Sequence, residues 1–178
     1  MHRTTVPLAI TLALATASAL SAQAPLTARA EMINAQGQSI GQVRLVEIAN
    51  SRVWIELDVS GLPPGVHAFH IHQTGSCEPP TFESAGGHYA PEGRAHGIYV
   101  AEGPHAGDLL NLHVPQSGAV HVEQLATRVT LRADRPGTLF DDDGSALVIH
   151  EGADDYRSQP TGDAGGRLAC GVVTRQDG

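Results

Sequence analysis

From Arg52 to Ser60 the chain reads R-V-W-I-E-L-D-V-S, polar and apolar residues alternating with a period of two. Successive side chains of a strand point to opposite faces, so this run specifies a half-buried β-strand and not a helix. Gly61-Leu-Pro-Pro-Gly65 ends it, because proline cannot donate to a ladder. Weaker versions of the pattern predict strands at Leu26 to Asn34, Gln42 to Ala49, Val66 to Gln73 and Ala119 to Glu123. Ala126 to Arg132, Ala146 to His150 and Ala169 to Arg175 complete the set. Turn chemistry at Asn34-Ala-Gln-Gly37 and Ala49-Asn-Ser51 separates the first three. With 20 Gly and 11 Pro, the chain suits a loop-rich all-β sandwich or barrel far better than a helical bundle. Only Thr74 to Leu110 and Glu151 to Arg167 are long and irregular, and long loops in a compact β domain are usually functional. No repeat or linker divides the sequence, so one domain is expected.

The first two dozen residues read as a secretory leader instead of part of the fold. His2 and Arg3 precede an apolar run from Val6 to Leu20, and small residues follow at Ala19, Ser21, Ala22 and Ala24. The run falls short of the roughly 20 apolar residues a membrane span needs. The expected division is therefore a cleaved leader over 1–24 and a mature domain over 25–178, with cleavage after Ser21, Ala22 or Ala24. Export favours pairing of the two cysteines, Cys77 and Cys170, over two free thiols or a metal-bound one. The net charge of -8 disfavours a nucleic-acid partner, and nothing in the mature sequence suggests a membrane. All 11 basic residues are Arg.

The compositional outlier is histidine, at 10 residues, most of them in the middle of the sequence. His70 and His72 stand two apart on a predicted strand and so share a face. Alone this H-x-H pair is a weak signal. His88, His96, His105 and Asp108 follow within the first long loop, at spacings with about 2 chances in 10,000 of arising from any one starting His. His150 ends a strand just before the second long loop. Three imidazoles and a carboxylate suit zinc, and a set filled by protein ligands makes that zinc structural. His70, His72 and His150, with a fourth imidazole from His88, suit Cu(II). One imidazole serving two divalent cations has to be an imidazolate bridge.

Gly65-Val-His67-Ala-Phe-His70-Ile-His72, Gly86-Gly87-His88, Gly103-Pro-His105-Ala-Gly-Asp108 and Gly165-Gly-Arg167-Leu-Ala-Cys170-Gly171-Val172 carry a resemblance to the copper/zinc superoxide dismutase family. It covers about Leu26 to Val173. The resemblance implies a Greek-key, immunoglobulin-like β-sandwich or barrel of about eight strands. It implies copper on His70, His72, His88 and His150 and zinc on His88, His96, His105 and Asp108, one of each metal per subunit. The implied activity is dismutation of superoxide through a Cu(II)/Cu(I) cycle, with His88 as the bridge. Asp154 matches a carboxylate that accepts hydrogen bonds from His70 and His96, and Arg167 matches an arginine that draws the anion to copper. Thr161 matches a threonine of the channel throat, and Cys77 and Cys170 match an intrasubunit disulfide. His67 lies on the opposite strand face from His70 and reads as a structural histidine. His113 and His121 have no counterpart in the motifs, and Asp141-Asp-Asp-Gly144 reads as a solvated turn.

The span from His150 to Cys170 is shorter than in eukaryotic members and resembles the exported bacterial branch. The short leader favours a bacterial periplasm, with the medium as the alternative, and the sequence leaves open whether the protein is a monomer or homodimer. A non-enzymatic exported carrier of copper or zinc is the rival reading, but such a protein would lack a copper ligand or the channel Arg. A binuclear zinc hydrolase fits less well, because the zinc set leaves no open position.

Overall fold

A computed structural model describes residues 25–49 and 51–176; the predicted leader over 1–24 lies outside them. Among the described residues there are ten strands: β1 (Thr27–Asn34), β2 (Ser39–Ile48), β3 (Arg52–Val59), β4 (Gly65–His67), β5 (Phe69–His72), β6 (Leu112–Val114), β7 (Val120–Ala126), β8 (Ala146–His150), β9 (Arg167–Val172) and β10 (Thr174–Gln176). The only helical element among the described residues is a 3-10 turn at Glu83–Ala85. Seven strands form one antiparallel sheet in the order β5-β8-β9-β1-β2-β3-β7, with β10 beside β1. β4 pairs with β6 in a separate ladder. Only Ala68 separates β4 from β5, so one continuous run pairs first with β6 and then with β8. The curled sheet is thereby continued around a barrel. The links from β3 to β4 and from β7 to β8 cross between non-neighbouring strands, which is the Greek-key connection.

Alternation decides which side chains fill the interior. Val53, Ile55, Leu57 and Val59 of β3 are buried, while Trp54, Glu56 and Asp58 between them are not. They meet Ala28, Ala30 and Met32 of β1, Val43 and Leu45 of β2, and Leu147 and Ile149 of β8 in one core. Fully burying one Leu, Ile or Phe contributes about 1.5–3 kcal/mol. β5 and β8 are buried on both faces. Phe69 and Ile71 point into the core, and His70 and His72 point outward beneath the two long loops. Val148, Ala146, Cys170, Phe82 and Ala85 form a second, smaller cluster under the first loop.

Three expectations need correction, the first being Ala169 to Arg175, which breaks at Val173 into β9 and β10. Ala126 to Arg132 is not a strand: β7 ends at Ala126, and Thr130 makes only an isolated bridge to Thr138. Val129, Thr130 and Leu131 are all buried, so the in-out alternation of a strand is lost here, and a side chain takes the place of a ladder. Buried Glu47 of β2 accepts hydrogen bonds from Thr130 Oγ1 at 2.9 Å and from the Leu131 N–H at 2.7 Å. The predicted run from Val66 to Gln73 is likewise split at Ala68. The Ala68 N–H donates to Gly152 O, and its carbonyl accepts from the His150 N–H.

Candidate metal centre

The first long loop returns along the free edge of β5. The Ile71 N–H donates to Gly107 O, Tyr89 N–H to Ile71 O, and Gln73 N–H to Gly87 O. These bonds set His88 opposite His72 and Asp108 opposite His70 as isolated bridges. The sheet edge thus positions two loop residues whose side chains join those of the strand.

Two groups result. One donor atom from each of His70, His72, His88 and His150 lies within 4.8 Å of the others, and the same holds for His88, His96, His105 and Asp108. His88 belongs to both. In the first group the outer ring nitrogens are engaged: His70 Nε2 donates to Asp154 Oδ2 at 2.8 Å, and His72 Nδ1 to Gly86 O at 2.9 Å. His150 Nδ1 reaches Gly165 O at 3.5 Å. Such partners fix the tautomer and leave the inner nitrogen as a lone pair. Buried His70 Nδ1 and His88 Nε2 have no hydrogen-bond partner, and His72 Nε2 and His150 Nε2 face each other at 3.2 Å. Unpaired buried nitrogens converging without a thiolate are the donor set a copper ion accepts.

The second group is crowded in a way protons alone do not satisfy. His88 Nδ1, His96 Nδ1 and His105 Nδ1 stand 3.0, 3.1 and 3.2 Å from the same oxygen, Asp108 Oδ1. Asp108 Oδ2 is already taken by the Gly97 and His105 N–H groups. An oxygen with two lone pairs cannot accept well from three rings, whereas a cation among them satisfies all four groups. Three imidazoles and a carboxylate fit zinc.

Protonation is matched to ligation in three of the rings. Burial, then the neighbouring His88 charge, lowers His72 well below the ordinary imidazole range. Burial, followed by the charge of His70, lowers His150 to about 3. Burial also lowers His88, to about 4, although its bond to Asp108 pulls the other way. These three rings are neutral at pH 7, as metal ligands must be. Burial opposes ionisation of Asp108 and Asp154, but their histidine hydrogen bonds outweigh it and hold both well below the usual carboxylate range. His96, where burial works against the same two carboxylates, is raised to about 9.

Asp154 joins the groups, because its two oxygens accept from His70 Nε2 and His96 Nε2, the latter at 2.9 Å. The Arg167 guanidinium donates to Phe82 O at 2.5 Å and to Gly86 O at 2.7 Å. Gly86 O is also the acceptor for His72, so one carbonyl ties the arginine to the first group. Cys77 and Cys170 form a disulfide with a Cα–Cα distance of 5.6 Å. Thr161 sits half-buried in a turn of the second loop. His67 bonds Pro63 O and His150 O, both at 2.9 Å, and joins neither group. His113 and His121 are exposed on β6 and β7, and Asp141, Asp142 and Asp143 lie in an exposed turn. Asn111, Gln124 and Gln159, which carried no signal in the sequence, brace the loops. Gln124 accepts from the Leu110 N–H and donates to its carbonyl, and Asn111 does the same for Asp154.

A barrel carrying two donor groups, one buried and one half-buried, that share an imidazole defines a binuclear metalloprotein. The family model described as copper/zinc superoxide dismutase (SODC) matches residues 39–173. Superoxide dismutase [Cu-Zn] 2 of Aquifex aeolicus is 51% identical over 149 residues, covering 83% of this chain and 86% of that protein. The crystal structure of a SOD-like protein from Bacillus subtilis aligns with a TM-score of 0.78 at 39% identity, over 81% of this chain and 96% of that one. Cu/Zn superoxide dismutase from Brucella abortus aligns at 0.68 and 28% identity, over 83% and 99%. The protein belongs to the copper/zinc superoxide dismutase family.

Proposed function

We propose that the protein dismutates superoxide, two anions and two protons giving dioxygen and hydrogen peroxide, at copper held by His70, His72, His88 and His150. Zinc is held by His88, His96, His105 and Asp108. The observation that carries this reading is the sharing of His88: its Nδ1 is turned to Asp108, and its buried Nε2 is left free beside His70, His72 and His150. Copper, when bound, would supply a one-electron couple, and zinc a fixed charge.

The protein's own residues do the rest. His88 Nε2 is the atom at which a proton can be held between the two half-reactions. Asp154 orients His70 and His96 together. Arg167 presents a cation beside His72 and His150, lowering the affinity of both rings for protons. In a protein of net charge -8 this local cation opposes the general repulsion of an anionic substrate. Arg157, the other cation of the second loop, stacks over the Tyr99 ring at 4.6 Å from its centroid. The leader over 1–24 and the disulfide support export, and the short second loop supports a periplasmic enzyme, acting as a monomer or homodimer.

The test is dismutation by the purified mature protein, with copper and zinc measured on the same sample. Turnover with about one of each metal per subunit, abolished in His150→Ala, is the expected result. Full metal content without turnover would favour a carrier. Arg167→Ala is expected to lower the rate at low salt by about tenfold and to flatten its dependence on ionic strength. Rates that keep the parent's salt slope would remove Arg167 from the steering role.

A further inference from the structure

We infer that Gln159 is a positioning residue for the zinc ligand His96, gripping its backbone while Asp154 grips its ring. This rests on the assignment of His96 to zinc. His96 is fully buried, in an irregular segment of the first loop. Its N–H donates to Gln159 Oε1 at 2.9 Å, and its carbonyl accepts from Gln159 Nε2 at 2.8 Å. Among the described residues no other group bonds either atom. A backbone donor and acceptor in so buried a residue need partners, and one carboxamide supplies both.

The same Nε2 also donates to Arg157 O at 3.0 Å, which orients the amide from within the second loop. The two loops are close-packed on either side of this grip. A Cβ at Gly97 would strike the Tyr156 carbonyl, and the Tyr99 N–H donates to that carbonyl at 3.3 Å. His96 is therefore fixed at three points by the second loop: its ring Nε2, its backbone N–H and its backbone carbonyl. Its remaining nitrogen, Nδ1, is the one turned to Asp108. Rotation of the His96 peptide would carry that nitrogen away from the other donors, so the grip sets the direction from which the ligand approaches.

Zinc retention in a chelator competition and the visible spectrum of the cobalt-substituted zinc site test the inference. Gln159→Leu keeps the bulk and removes both bonds. It is expected to weaken zinc retention by about tenfold, the low end for loss of an outer partner, and to shift the cobalt bands. Gln159→Glu keeps the acceptor for the His96 N–H and loses the donor, and is expected to fall between parent and Leu. In the Leu variant the two unpaired backbone groups of His96 are expected to lower the thermal midpoint by several degrees, so zinc retention is compared at a temperature where every variant is folded. Parent-like zinc retention and cobalt bands in both variants would overturn the inference. If the Leu variant does not fold, the Glu variant decides by the same two readouts. A parent protein that takes up no zinc would overturn the metal assignment itself, and this inference with it.

Discussion

Alanine at Gly162 should cost the protein its metals while leaving the barrel intact. Gly162 has φ +70, and a Cβ built there would overlap Asp154 Oδ1 and come within 2.7 Å of His96 Nε2. The overlap falls on the hydrogen bond that joins them. The left-handed backbone adds about 1 kcal/mol against any residue with a Cβ. Because the other Asp154 oxygen holds His70, displacement of this carboxylate reaches both donor groups. Retention of copper and zinc through dialysis against a chelator is expected to fall at least 10-fold, within the roughly 10–100-fold range for loss of such a partner. Far-ultraviolet circular dichroism should stay that of the parent. Metal retained at the parent's level would show that Asp154 does not hold the two groups together.

The second large effect is expected from replacing both Cys77 and Cys170 by Ser. Their bond spans 93 positions of sequence. The loop-closure entropy model puts a crosslink of that span at about 4–5 kcal/mol, or roughly 10 °C in thermal midpoint for a domain of this size. The loss is local as well as global. The carbonyls of Phe82 and Gly86 that hold the Arg167 guanidinium lie on the loop tied down at Cys77, and Arg167 itself lies on β9 with Cys170. Activity should therefore fall more than metal content does. A melting curve unchanged by the double substitution, or by a reductant acting on the parent, would refute this account.

Much of the metal centre was legible because its chemistry demands particular residues at particular spacings. His70 and His72 share a strand face, and His88, His96, His105 and Asp108 stand in an improbable order. The strand pattern was legible wherever a ladder was the partner, as in β3. It misled at Ala126 to Arg132, where Val129, Thr130 and Leu131 are all buried and Glu47 bonds the backbone in place of a neighbouring strand. Period two places Glu47 on the same face as Val43 and Leu45, but nothing in the pattern names the backbone group its carboxylate takes. The bracing residues were hidden for a related reason. Asn111, Gln124 and Gln159 each satisfy the N–H and C=O of a residue distant in sequence. A lone carboxamide has no period or motif, so only the closed loops reveal its partner.

The break at Ala68 has a mechanical consequence. His70, His72 and His150 stand on β5 and β8, which are hydrogen-bonded to each other along their length. His88, His96, His105 and Asp108 stand outside every strand. The first three are the fixed jaw of a vice, as stiff as the sheet that carries them. Of the other four, His88 and Asp108 are held by backbone bonds to the edge of β5, and His96 and His105 by contacts within and between the loops. Gly152, at the root of the second loop, is bolted to the fixed side through the Ala68 N–H, at the point where the strand changes partners. The two donor groups thus stand on supports of unequal kind, and His88, common to both, is the loop residue laid against the fixed side beside His72.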